Sequence, residues 1–236
     1  MKQLIVSFAD IKIKINTNYD YMFTLCKDYI VNTMEYDFEV YPSHNYQHIM
    51  KDDPSFSDEY CESISIYEEI GKKLPFYNAF IMHGAVITYQ DKALLFTAKS
   101  GTGKTTHIKL WRKYFGKDVD IVNGDKPIVR VYEDGIKVFG TPYCGKERWH
   151  KNRSAYLHRI CILKRGEENI IRKVSSDEAI LPLYQQIFVP KDSEEIAGTI
   201  LELYHQLLIS IPIYQLQCNI SLEAVEVAYK GMLEDA

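Results

Sequence analysis

Apolar and polar residues alternate along residues 4–15 (LIVSFADIKIKI), which predicts one or two strands, the second carrying Ile11, Ile13 and Ile15 on one face. Residues 18–32 space Tyr21, Leu25 and Tyr29 along one side of a short helix. Residues 34–50 mix aromatic and polar positions as a strand with loops, and Asp52-Asp53-Pro54 is a turn. Residues 1–60 are therefore expected to form a β-rich accessory region, and residues 61–236 a larger α/β unit. That unit begins with a helix over 62–74, ended by Pro75. A strand over 80–88, interrupted by His83-Gly84, is joined through Gln90-Asp91 to a buried strand over 92–97, so the sheet is expected to be mixed.

A helix over 106–114 and a strand over 119–122 follow, the strand ending at Asn123-Gly124-Asp125. Residues 127–132 and 136–139 pattern as a hairpin, and a long loop then runs to about residue 156. A strand over 160–164 is expected to take 169–174 as its partner. Helices over 176–188 and 193–208, split by Pro190, lead to a strand over 213–218. A closing helix over 221–233 has Glu223 at a capping position. No internal repeat is present.

Composition narrows the class. A chain of 236 residues suffices for one good-sized core with a small added layer, and 46% hydrophobic with 25% charged residues is globular usage. No run approaches the ~20 apolar residues of a membrane span, and the alternating start is unlike a secretory leader, so a cytoplasmic protein without membrane partner is expected. A net charge of −4 argues against generic nucleic-acid binding. The five cysteines lack paired metal-site spacing and read as reduced, mostly buried thiols, with Cys144 set apart in a glycine-rich loop. The 18 tyrosines suit core edges and interfaces but name no ligand.

The candidate chemistry lies in Ala98-Lys99-Ser100-Gly101-Thr102-Gly103-Lys104-Thr105-Thr106, between a buried strand and a helix. Gly101 and Gly103 let backbone N–H groups turn inward around an anion, with Ser100, Thr102 and Thr106 completing the cradle. Lys104 reaches outer phosphates, and the Thr105 hydroxyl is placed for a magnesium ion. The full pattern asks for glycine where Ala98 stands. Asp125, at the end of the next strand, is a second metal candidate. His83, on the strand expected beside the phosphate-loop strand, is a donor to a phosphoryl group or a base. In the loop 140–153 Lys146 is a candidate for neutralising phosphoryl charge and Glu147 for orienting metal or accepting a proton. A charge run of that kind is equally a solvated face, and Cys144 has no basic partner fixed by sequence.

These residues resemble the kinase domain of HPr kinase/phosphorylase and its relatives with a phosphoenolpyruvate-carboxykinase-like P-loop fold, over residues 83–153 and more loosely to the C-terminus. The family's histidine-glycine pair matches His83-Gly84, its loop matches residues 98–101, its lysine matches Lys104 and its magnesium-holding hydroxyl matches Thr105. Of two adjacent aspartates, the first aligns with Gly124 and only the second with Asp125. The resemblance implies ATP and Mg2+ as cofactors and phosphoryl transfer to a hydroxyl, of serine or threonine on a small protein or peptide. Homo-oligomers are frequent in that family. With Gly124 at the first carboxylate position, the base is open between Glu147, His83 and the phosphate itself. A small-metabolite kinase of the same fold and a non-catalytic nucleotide-binding regulatory subunit stand as alternatives.

Overall fold

The computed structural model describes residues 1–43, 49, 55–191 and 193–234; the expected turn at 52–54 and part of the segment 34–50 lie outside them. β1 (Lys2–Phe8) and β2 (Ile11–Thr17) form an antiparallel hairpin, and β3 (Phe38–Val40) runs parallel to β2. Their alternation buries Leu4, Val6 and Phe8 together with Ile11, Ile13 and Ile15. Between β2 and β3 the helix is shorter than its periodicity predicts. It covers only Tyr21–Leu25 (α1) and a 3-10 turn over Lys27–Tyr29, and the buried positions are Met22, Cys26 and Tyr29 rather than Tyr21 and Leu25. The segment leaves helical geometry because it joins the edge of β1: Ile30 bridges Val6, and Val31 N–H donates to the Ile5 carbonyl at 2.9 Å.

α2 (Asp58–Lys73) starts four residues before its expected position, because the Ser57 side chain caps it by accepting from Tyr60 N–H. Ile66, Tyr67 and Ile70 pack it against the first sheet in a cluster shared with Ala79, Ile81, Ile128 and Phe139. Glu62, fully buried, accepts from the Thr17 hydroxyl and from Asn18 N–H at 3.0 Å, tying α2 to the end of β2.

Among the described residues the main sheet has nine strands. The expected interrupted strand is two strands with different partners: β4 (Ala79–Ile81) pairs with β8 (Ile128–Tyr132), and β5 (Ala85–Tyr89) pairs with β6 (Lys92–Thr97) and β7 (Val119–Asn123). The β5–β6 turn is tight, with Gln90 and Asp91 both at positive φ. β9 (Gly135–Phe139) continues from β8 to β10 (Ser154–Arg165), which then runs parallel to both β6 and β12 (Ile213–Cys218). Both parallel and antiparallel pairings occur, so the protein is α/β with a mixed central sheet.

β11 (Ile170–Val174) corrects the expected pairing: its partner is β12, which lies between it and β10. The chain makes this step by crossing the end of β12 at Gly166, where a Cβ would sit 2.2 Å from Gln217 Cγ. A larger residue at that crossing would have to displace the Gln217 side chain.

α3 (Lys104–Phe115) and α6 (Leu222–Tyr229) cover the sheet face of Ala85, Ile87, Leu94 and Phe96. α4 (Ser176–Tyr184) and α5 (Glu194–Ser210) pack with the alternate residues Val86, Ala93 and Leu95. α4 has a capping box of Ser175 and Glu178 but ends before the expected residue 188. Residues beyond it turn extended, since Phe188 N–H donates to the Ile81 carbonyl and Ile187 bridges Met82. Among the described residues, no helix is long and apolar enough to cross a membrane.

Candidate functional site

The topology gathers one set of loops at one end of the sheet. β6 ends at Thr97 and the chain turns through Ala98–Gly103 into α3. Gly101 and Gly103 have φ of 77° and 121°, the region that favours glycine, and no atom lies within 4 Å of a Cβ on either. Backbone angle, not crowding, selects glycine there. Ala98 is buried among core residues. Gly103 offers no side-chain cap, so the first-turn N–H groups of α3 lack that partner. Ser100 is exposed, and Thr102, Thr105 and Thr106 are partly buried.

Lys104 is buried and its ammonium donates to the Ala98 carbonyl at 3.2 Å. Burial pushes its pKa down, and the negative charge of Asp125 opposes that shift. The lysine is therefore folded back under the loop, within reach of the Asp125 charge but not in an ion pair with it.

His83 precedes β5, the neighbour of β6, and Asp125 follows β7, the next strand beyond β5. Both β5 and β7 are placed so that the residues before β5 and after β7 share the C-terminal end of β6. His83 Nε2 stands 3.2 Å from Asp125 Oδ1, and His83 Nδ1 stands 3.1 Å from Gln186 Oε1. The backbone repeats the link: Gly84 N–H donates to the Asp125 carbonyl, and His83 N–H to the Gln186 carbonyl. Burial works against ionisation of Asp125, but the His83 hydrogen bond and the charges of His83, Lys126 and Lys104 outweigh it and hold the pKa below the usual carboxylate range.

Asn123 holds Asp125 in place. Fully buried, it accepts from the Asp125 and Lys126 N–H groups at 2.8 and 2.7 Å, and donates to the Thr141 carbonyl at 3.0 Å. The loop 140–153 lies along the free side of β7, with Gly124 N–H donating to the Trp149 carbonyl and Lys151 N–H to that of Val122. Close packing of this loop explains Gly124. A Cβ there would stand 3.0 Å from the Cys144 carbonyl oxygen, while Gly145 comes within 3.3 Å of the Asp125 side chain by the same measure. A side chain at position 124 would press on the Cys144 carbonyl.

The charged residues of that loop are not gathered around Asp125. Glu147 is exposed and pairs with Lys109 of α3 at 3.7 Å, and Lys146 is exposed with no ion pair or hydrogen bond among the described residues. Lys151 and Arg153 are pinned to Asp120 at 2.6 and 2.8 Å. All five cysteines are free, and Cys144 is buried, not set apart as its glycine-rich surroundings predict. Burial, with Asp125 nearby, pushes its thiol up to about 11, which leaves it an inert thiol at neutral pH.

No family model matches the chain, and no curated protein matches it either. Among solved structures it is similar to the HPr(Ser) kinase/phosphatase from Coxiella burnetii, at 9% identity and a TM-score of 0.36, over 62% of this chain and 90% of that one. A likeness so distant fixes neither family nor activity.

Several residues of the site are silent in the sequence. Arg165, at the end of β10, donates to the carbonyls of Gly101 and Thr102, the latter at 3.2 Å, and so braces the glycine loop from the side opposite His83. Tyr67 of α2 packs tilted against Tyr143 with ring centroids 4.2 Å apart, and the Lys126 ammonium lies over the Tyr67 ring at 5.2 Å from its centroid. Burial, then the Asp125 charge, raises the Tyr67 hydroxyl well above its ordinary value. Gln186 reaches His83 from 103 positions away, so no local pattern announces it.

Among the described residues no three His, Cys, Asp or Glu side chains group as a metal site. One ionised carboxylate, Asp125, and one hydroxyl, Thr105, suit an ion such as magnesium that keeps most of its shell as water and phosphate oxygens.

Proposed function

We propose that the protein is an ATP- and Mg2+-dependent kinase that transfers the terminal phosphoryl group to a hydroxyl, of serine or threonine on a small protein or peptide. The observation that carries this reading is the convergence of Lys104, Asp125 and His83 at the end of β6, beside a glycine loop that opens a helix. The loop and the uncapped N–H groups of α3 bind phosphate oxygens, and Lys104 exchanges the Ala98 carbonyl for them. Magnesium, when bound with the nucleotide, neutralises phosphate charge, and Asp125 with Thr105 are the residues that hold it.

His83 acts as a donor in this arrangement. Held between Asp125 and Gln186, its ring keeps the Asp125 carboxylate oriented beside the phosphate loop. The acceptor oxygen forms its bond to phosphorus while the bond to the bridging oxygen of the diphosphate breaks. The hydroxyl proton leaves late, to the transferred phosphate, as a loose transition state permits. Glu147, held by Lys109, is not needed for that step. Reverse attack on a phosphoserine by the resembled family's route uses an acid–base group at position 124, where this chain has glycine and a Cβ would press on the Cys144 carbonyl at 3.0 Å.

The test is transfer of label from γ-labelled ATP, with magnesium, to candidate peptides, proteins and hydroxylated metabolites. Transfer that requires Lys104 and Asp125 supports the reading, and the labelled product separates a peptide from a metabolite acceptor. Lys104-dependent ATP binding without transfer to any acceptor sinks it in favour of a regulatory nucleotide-binding subunit, a reading favoured by Gly124.

A further inference from the structure

The loop 140–153 divides between two neighbours. Glu147 pairs with Lys109 of α3 at 3.7 Å, and the same ammonium lies over the Trp149 ring at 4.9 Å from its centroid. Arg148, between them in sequence, acts on the other side: its charge reaches Tyr21 of α1 and the Cys144 thiol. It is exposed, and its guanidinium has no ion pair or hydrogen bond among the described residues. Its φ is 53°, set by a turn in which Arg148 N–H donates to the Gly145 carbonyl at 3.2 Å, and Gly145 in turn packs against the Asp125 side chain. A left-handed backbone is unfavourable for a long side chain, and no contact of the guanidinium inside the protein offsets it.

α2 supplies the opposite wall. Tyr60, Ser63 and Tyr67 recur at helical spacing along one side of it. Tyr67 packs against Tyr143, Lys126 lies over the Tyr67 ring, and the Tyr143 hydroxyl donates to the Ser63 carbonyl at 3.1 Å. This side therefore runs along the loop, closed at Tyr67 and opening toward solvent at Tyr60, whose ring lies 4.8 Å from that of Phe56. Burial raises the Tyr60 hydroxyl, followed by Cys61 and the Asp125 charge, so Tyr60 stands within electrostatic reach of that carboxylate. Lys126 has no ion pair with a described residue, and neither has Lys146 on the 145–148 turn. Farther along the same loop the cations are matched, since Lys151 and Arg153 both pair with Asp120. Glu59, in the first turn of α2, borders the face near Tyr21.

Lys126, Tyr60, Tyr21 and Arg148 thus form one face that begins at Asp125 and runs out to the loop. We propose that this face docks the acceptor, and that the acceptor is a peptide with Asp or Glu within about three residues of its hydroxyl. An extended chain advances ~3.3 Å per residue, so three residues span the ~10 Å over which exposed cations act. Arg148 is free to take a carboxylate in the two-pronged manner of a guanidinium, and the tyrosines offer apolar surface to the peptide. The chain as a whole carries a net charge of −4, which disfavours acidic peptides, so a preference for them reports this face. The assignment rests on the kinase reading above.

Fluorescence anisotropy on the full chain measures binding of a labelled synthetic peptide with one serine and glutamate flanks, and of its glutamine-flanked counterpart. Transfer from γ-labelled ATP, with magnesium, gives kcat/KM for each peptide and KM for ATP. The wild type is expected to bind the glutamate peptide about tenfold tighter and to phosphorylate it about tenfold better, an advantage that shrinks at high salt. Arg148→Gln reduces the preference to about twofold without changing use of the glutamine peptide, whereas Arg148→Lys, which keeps the charge, retains most of it. Arg148→Gly removes the charge and relieves the backbone, so it unfolds no earlier than the wild type yet loses the preference equally. Equal binding of the two peptides, binding of neither, or a preference that survives in Arg148→Gly overturns the docking face. So does a raised KM for ATP in Arg148→Gln with the peptide preference intact, which assigns the guanidinium to the nucleotide. Glutamate-selective binding without transfer to either peptide supports the face and overturns the kinase reading instead.

Discussion

On the β5–β7 side of the glycine loop, Asp125, His83, Asn123 and Gln186 interlock through side chains and backbone. On the β10–β12 side the same loop faces a cavity of about 600 Å3 and a single arginine brace. One flank is tied by its own hydrogen bonds, and the other is left open around a cavity. Under the proposed function, the tied flank keeps its groups in place and the open flank has room for a ligand.

The sharpest way to probe that contrast is acid. Burial keeps His107, beside that cavity, neutral in the fold with a pKa of about 3, against an ordinary value of 6.5. The unfolded chain then binds more protons between those values, so stability is full above the ordinary value and falls as pH drops toward the folded one, by at most about 5 kcal/mol. Denaturant unfolding across that range should show the slope in the wild type and lose it in His107→Phe. A slope that persists unchanged assigns the acid sensitivity to other groups.

On the interlocked flank, Asp125→Asn should lower phosphoryl transfer about 1,000-fold while the fold survives, read as kcat on a labelled acceptor. Lys104→Ala should weaken triphosphate binding about 100-fold, measured by calorimetry. Asn123→Ala takes the acceptor from two backbone N–H groups and the side-chain donor from the Thr141 carbonyl, and should destabilise the protein by about 2 kcal/mol in chemical denaturation. Arg165→Ala, which frees the loop carbonyls without touching the other flank, should reduce nucleotide affinity about tenfold and leave stability nearly unchanged. If Arg165 proved as destabilising as Asn123, the two flanks would not differ in the way described.

Local patterns made much of this fold legible. The paired strands at the start, the Gln90-Asp91 turn and the strand-loop-helix around Lys104 all follow from short-range alternation and turn residues. What the sequence hid depends on distant partners. The chain leaves helical geometry after Tyr29 because β1 offers an edge, and α4 stops short because β4 pairs with the residues beyond it. The skip of β11 past β10 is marked in the sequence only by Gly166, whose meaning depends on Gln217 lying beneath it. The same holds at the site. His83, Asp125 and Lys104 stand in recognisable local contexts, whereas Gln186 and Arg165 come from segments with no chemical signature. Gly124 reads in sequence as a missing carboxylate, and in three dimensions as the consequence of a neighbouring loop packed against it.

One strand touches almost everything described above. β10 begins as the partner of β9 and, over residues 160–162, is hydrogen-bonded on one side to β6 and on the other to β12. Its amides there cannot open by fraying, because neither neighbour is an edge. Hydrogen exchange at Ile160, Cys161 and Ile162 should thus proceed only through global unfolding, making these three amides an internal clock for the stability of the whole molecule.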